Sequence, residues 1–297
     1  MTCFDPGRSQ CLATRLSSYL GCLVVLGAAL CACATSSDET TAPTAQAPIL
    51  PTRTSHLSPA TGWWHPAAGL SWEWQLTGEP DPDLRGDVID IDLEVDHSIV
   101  DGYHAQGTRV ICYISVGSYE DWRPDADRFP EETLGKEYEG WSGERWLDIR
   151  RLDLLAPIML ARLDACAQKG FDAVEPDNME IHTNDTGFPL SYQDQLRYAL
   201  WLAEAAHQRG LAIGQKNAPD QTGDLVEAFD FAITEDAFYY GWAEELLPYI
   251  RAGKPVLAAE YTDLPGDFEA DCRQAQALGF SLILKHRDLD AWGRTCP

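Results

Sequence analysis

The sequence predicts an α/β fold, a single (β/α)8 TIM barrel over residues 63–297, preceded by a lipoprotein signal and a flexible linker. Three observations predict it. Eight short apolar runs of strand length recur after Trp63. Amphipathic stretches of helical period separate most of them, with Gly170, Gly210, Gly253 and Gly279 standing where helices should stop. Strands alternating with helices require a parallel sheet, and eight of them in this length match the size of a barrel domain. An open, doubly wound sheet is the alternative. The absence of a glycine-rich phosphate loop after the first strand counts against it.

The strand candidates are "SWEWQL" (71–76), "DVIDIDL" (87–93), "RVICYISV" (109–116), "FDAVEP" (171–176), "LAIGQK" (211–216), "FDFAIT" (229–234), "PVLAAEY" (255–261) and "SLILKH" (281–286). Helices are expected over 158–170, 192–210, 242–254 and 268–280. Only a short helix fits between the first two strands. After the third strand comes a long insertion, 117–150, holding Trp122, Trp141 and Trp146 among many charges. Long βα loops of a barrel lie on its catalytic face and shape the cleft.

Ahead of the barrel, Arg8 and Arg15 precede the apolar run "YLGCLVVLGAALCAC" (19–33), an export signal too short to span a bilayer. Its end, Leu30-Cys31-Ala32-Cys33, resembles a bacterial lipobox, so residues 1–32 are expected to be removed and Cys33 lipidated. Ordinary cleavage nearby is the alternative, and either product is extracytoplasmic. Residues 33–62 are rich in Ala, Thr, Ser and Pro without periodicity, as a flexible tether would be. Any membrane contact would run through the lipid anchor. Past Cys33 the cysteines are Cys112, Cys166, Cys272 and Cys296, an even number for an oxidising compartment. Cys272 with Cys296 is the favoured pair, pinning the tail to the last helix. Cys112 and Cys166 are left to pair or to stay as buried thiols. The formal charge of −25 excludes nucleic acid as a partner and suits a cationic or neutral one. A monomer is expected.

Chemistry collects at the C-terminal ends of barrel strands. Here those ends read Gln75, Asp90 and Asp92, Tyr113 and Ser115, Glu175, Asp177 and Asn178, Lys216 and Asn217, Glu235 and Asp236, Glu260 and Tyr261, and Lys285 and His286. The seven histidines lack metal-ligand spacing, so neither metal nor cofactor is expected; an oxygen-only site of Asp90, Asp92 and Glu175 is the weak exception. No G-x-S-x-G elbow is present. Paired carboxylates with aromatic faces (Trp72, Trp74, Trp122, Tyr113, Tyr261) point instead to glycoside hydrolysis, one acid protonating the leaving oxygen while the other stays ionised.

The motifs "WEWQLTG", "DVIDIDL", "VICYISVGSYEDWRPDADRFP", "GERWLDIR", "RLDACAQKGFDAVEPDNME", "GFPLSYQDQL", "LAIGQKNA", "FDFAITED" and "GKPVLAAEY", in this order from about Trp72 to Cys296, resemble glycoside-hydrolase family 114, the endo-α-1,4-polygalactosaminidases. The resemblance implies a (β/α)8 barrel cleaving α-1,4-linked galactosamine polymers with two carboxylates and no cofactor. It places the nucleophile of a retaining mechanism at Asp177 and the general acid/base at Glu235. Asn178, Lys216 and Asn217 would position substrate or tune Asp177; Asp92, Tyr113, Glu260 and Tyr261 would contact substrate, and Glu175 would support Asp177. Many relatives carry a cysteine pair after the sixth strand, where this chain has Ala237 and Ala243. A non-catalytic carbohydrate-binding barrel, or a glycosidase for another amino-sugar linkage, is the competing reading.

Overall fold

The computed structural model describes residues 62–297, which fall within one compact unit. The expected export signal, the expected lipidation site Cys33 and nearly all of the expected tether lie outside the described residues. All eight expected strands form. They are β1 (Trp72–Gln75), β2 (Val88–Asp92), β3 (Arg109–Ser115), β7 (Ala173–Asp177), β8 (Ala212–Lys216), β9 (Phe231–Glu235), β10 (Val256–Tyr261) and β11 (Ser281–Lys285). They pair in parallel in that order, and β12 (Gly293–Thr295) adds antiparallel to β11, giving a nine-stranded sheet. The sheet curls into a nearly closed barrel. At the seam the Trp72 indole N–H donates to the Ser281 carbonyl at 3.0 Å, and the Ser281 hydroxyl to the Leu70 carbonyl.

Six α-helices dress this barrel: α1 (His97–Ala105), α2 (Leu152–Gln168), α3 (Tyr192–His207), the one-turn α4 (Thr222–Leu225), α5 (Leu247–Arg251) and α6 (Phe268–Leu278). Side-chain caps start three of them. Asp96 caps α1 through Ser98 N–H, Ser191 and Asp194 form a capping box on α3, and Asp267 caps α6. Helix α2 starts six residues earlier than its apolar period suggested. It runs through Pro157, the residue that breaks that pattern. The ring is thinner than a full barrel's, with no α-helix between β1 and β2 and short ones after β8 and β9.

The insertion after β3 is not a loop but a small antiparallel sheet, order β4 (Ser118–Glu120), β6 (Glu144–Leu147), β5 (Leu134–Glu137). Its strands have three or four residues, too few for an alternation to stand out. Trp146 is buried there against Tyr138, whereas Trp122 stays half exposed.

The period of two along each strand creates two cores. One, between sheet and helices, holds residues such as Ile89, Val174, Ile213 and Leu163. The other fills the barrel with Trp72, Trp74, Val88, Ile111, Ala173, Ala212, Phe231, Leu257 and Ile283. Both Trp72 and Trp74 point inward as core, so neither is a free face for a sugar. Gly214 belongs to the interior layer because a Cβ there would meet the Phe231 ring at 2.4 Å. Outside, Cys112 on β3 is bonded to Cys166 on α2, and Cys272 on α6 to Cys296, which follows β12. Both pairs are therefore disulfides, and the free-thiol alternative for Cys112 and Cys166 is set aside. Ala237 and Ala243 are buried in the outer core.

Candidate active site

Following the inward-facing positions up each strand leads from apolar residues to ionisable ones. On β7 the sequence is Ala173, Glu175, Asp177; on β8, Ala212, Gly214, Lys216; on β9, Phe231, Ile233, Glu235. Register places Asp177 beside Ser115 and Glu175 beside Tyr113. Each of these three strands then ends in the same way. Asn178, Asn217 and Asp236 follow the last residue with φ of 63°, 46° and 55°. Asn and Asp tolerate this left-handed region because their side chains bond locally. Each thus turns the chain sharply at the mouth of the barrel just after a charged residue.

Lys216 occupies the centre. Its ammonium donates to Glu175 Oε1 at 2.8 Å and Asp177 Oδ1 at 2.8 Å, and lies 3.2 Å from Glu235 Oε2. The Trp74 ring lies beneath it at 4.7 Å, a cation–π contact. The two contacts to Asp177 and Glu235 limit the separation of those carboxylate oxygens to 6.0 Å, the sum of the two distances. Tyr113 donates to Asp177 Oδ2 at 2.9 Å, and the Tyr261 hydroxyl donates to Glu235 Oε1. Asn217 accepts from the Glu235 backbone N–H at 2.9 Å and directs its amide at Glu235 and Glu180. Lys216 and Glu175 are sealed, at 1% and 0% side-chain exposure. Asp177 and Glu235 keep 19% and 25%, so these two acids can be reached from the cleft.

Burial and charge act against each other here. Burial presses on the Lys216 ammonium, yet the carboxylates of Asp177, Glu175 and Glu235 outweigh it and hold the lysine well above its usual range. Burial also raises Glu235, but Lys216 and the Tyr261 hydroxyl more than reverse that and bring it to about 2. Glu175 is pushed up to about 7 by burial, and Glu180 to about 7 by burial and then the Asp177 charge. In the resting site Glu235 is ionised.

The structure brings Glu175, Asp177, Lys216, Asn217, Glu235, Tyr113 and Tyr261 together around one cation. It turns three other expected residues toward the protein. The Asn178 amide donates to Ser115 and Ser118, and Ser118 to Glu144. Glu260 accepts from the Phe238 and Tyr239 N–H groups and so fastens the loop after β9; burial raises it to about 8. Asp92 pairs with Arg123 at 2.8 Å, so Asp90, Asp92 and Glu175 do not converge on a cation. Among the described residues the side chains that could converge on one are His286, Asp288 and Asp290, on the loop after β11.

The sequence alone did not single out Glu180, Arg123 or the Ser115–Ser118–Glu144 network as parts of the site. The one legible signal was Gly117 in "SVGS". A Cβ there would stand 1.7 Å from the Asn178 carbonyl oxygen, and the Val116 and Gly117 N–H groups both donate to the Asp177 carbonyl. Gly117→Ala should therefore displace the Asp177–Asn178 turn, lowering kcat about a hundredfold and stability by about 1–3 kcal/mol. Steady-state kinetics beside thermal melts check both; full activity would show that the turn can shift without cost.

The family model "Glycoside-hydrolase family GH114" matches residues 52–297. Among solved structures, Aspergillus fumigatus Ega3 in complex with galactosamine is 35% identical, with a TM-score of 0.75, covering 80% of this chain and 100% of that one. The glycoside hydrolase domain of PelA from Pseudomonas aeruginosa is 16% identical with a TM-score of 0.60, covering 76% and 99%; at that identity it speaks for the fold alone. A Deinococcus radiodurans protein described as uncharacterized is 26% identical over 208 residues, 63% of this chain and 67% of that one. With the family match spanning the barrel and its strand-end acids, the chain belongs to glycoside-hydrolase family GH114.

Proposed function

We propose that the protein hydrolyses α-1,4-linked, galactosamine-containing polysaccharide, endo-acting and with retention, using Asp177 as nucleophile and Glu235 as general acid/base. The observation that carries the retaining reading is the limit of 6.0 Å between Asp177 Oδ1 and Glu235 Oε2, the oxygens that Lys216 bridges. Retaining pairs lie about 5–5.5 Å apart and inverting pairs about 6.5–9.5 Å, the latter leaving room for a water. The substrate class rests on the family and on the galactosamine bound by Ega3. A barrel that only bound glycan would have no need of this spacing.

Asp177 attacks the anomeric carbon while Tyr113 and Lys216 hold its carboxylate in place. Glu235 protonates the departing oxygen, then takes a proton from the water that releases the sugar. The low resting value of Glu235 suits the second step. The first requires it to enter the complex protonated, which makes the reaction favour acid pH. The net charge of −25 would steer a polymer of protonated amines toward the cleft. Two disulfides suit a chain working outside the cytoplasm, consistent with export and a lipid anchor at Cys33.

Digestion of defined α-1,4- and β-1,4-linked galactosamine and N-acetylgalactosamine polymers, read by mass spectrometry, tests this. Internal cleavage of the α-linked, deacetylated polymer into short oligomers is expected. Cleavage confined to β-linked polymers, or none at all, would refute the reading.

A further inference from the structure

Behind the catalytic pair lies Asp90, on β2, which the mechanism above does not use. It is wholly buried, and neither of its oxygens has a hydrogen-bond donor; the second oxygen of Glu175 is in the same position. The two carboxyl groups lie within hydrogen-bonding reach of each other. Across the ladder Asp90 faces Trp74 of β1, whose ring supports Lys216. The charged groups acting on it are Glu175 and Asp177 of β7 and Lys216 of β8. Two adjacent carboxylates can only accept, so as anions they leave three buried oxygens bare, which desolvation penalises heavily. One proton on Asp90, donated to Glu175, satisfies both sides of the contact.

We propose that Asp90 is a positioning residue of the active site, holding a proton that it shares with Glu175 so that the pair fixes the Lys216 ammonium between Asp177 and Glu235. The Asp90 proton, donated to Glu175, favours its anionic form, so that Lys216 divides its charge among three carboxylates. Were Glu175 itself neutral, the lysine would turn wholly to Asp177 and Glu235, and Glu235 would be harder still to protonate. Burial first, then the neighbouring Glu175 charge, raises Asp90 well above the usual carboxyl range, in keeping with this arrangement. The proton is retained from acid pH through neutrality and is lost only as pH rises through the elevated value.

Two measurements test it, and only the second rests on the proposed function. Infrared spectra of the free, full-length protein at neutral pH should show the carbonyl stretch of a protonated carboxyl. That stretch should shift when aspartate side chains are isotope-labelled and vanish in Asp90→Asn. No aspartate-shifted band in the labelled wild type, or an aspartate-shifted band intact in labelled Asp90→Asn, overturns the proposal without touching the polysaccharide reading. Should Asp90→Asn not fold, the labelled wild type alone decides. In turnover of α-1,4-galactosamine oligomers, Asp90→Ala should lose about ten- to a hundredfold in kcat, the worth of one hydrogen bond to a charged group. Asp90→Asn, whose amide can donate as the acid did, should regain most of that loss. If the two variants are equally impaired, the shared proton is not what positions Lys216.

Discussion

Asp177→Asn and Glu235→Gln should each lower kcat by about a thousandfold or more and leave the melting temperature within about 3 °C of wild type. Fold retention follows from the contacts. Lys216 keeps two carboxylate partners in either variant, and Tyr113 or Tyr261 can donate to the amide oxygen as it did to the acid. Removing the Asp177 charge also relieves Glu175 and Glu180, both of which it pushes up. The two variants fail at different steps. A galactosaminyl fluoride departs without needing a proton, so Glu235→Gln can still form the covalent sugar–Asp177 ester but releases it slowly. Intact-mass spectrometry should catch that adduct in Glu235→Gln and never in Asp177→Asn. An adduct in both, or unimpaired turnover in either, would remove the assigned roles.

The barrel was legible because eight apolar runs of strand length recur, and helical stretches that end at glycines separate most of them. What escaped was short or was set by partners distant in sequence. β4, β5 and β6 are too brief to show a period, and β12 is three residues positioned by a disulfide and by β11. At the site, Asp177, Glu235 and Lys216 stood out as charges closing apolar runs. Their convergence was not visible, since it depends on strands separated by whole helices. The direction of Asn178 and Glu260 was equally hidden. Each sits at a strand end as a substrate contact would, yet Ser115, Ser118 and two backbone N–H groups claim them. Asp90 reads in the sequence as one more strand-end acid. Only its burial without a donor sets it apart from Asp92, which Arg123 neutralises.

Replacing Lys216 by Met should shift both stability and the pH profile, in directions that follow from sign. The ammonium is the buried countercharge of Glu175, Asp177 and Glu235. Removing one partner of a buried ion pair costs about 3–5 kcal/mol, so Lys216→Met melts well below wild type at neutral pH. Glu235 is held at about 2 against an ordinary 4.5, so its contribution to wild-type stability is present above 4.5 and lost as pH falls through about 2. The variant lacks that contribution, and its carboxyls take up protons at higher pH. The melting-temperature gap should therefore be wide near pH 7 and narrow toward pH 3. Activity moves the other way. With protonated Glu235 as the proposed proton donor, wild-type kcat/KM should fall as pH rises through the acid range. In Lys216→Met the absolute rate drops, while the descending limb moves upward by about 1–3 units. Thermal melts and kcat/KM profiles of both proteins across this range check the two signs together. A gap that stays constant with pH would mean that Lys216 does not balance these acids, and an unmoved limb would mean that Glu235 does not supply the proton.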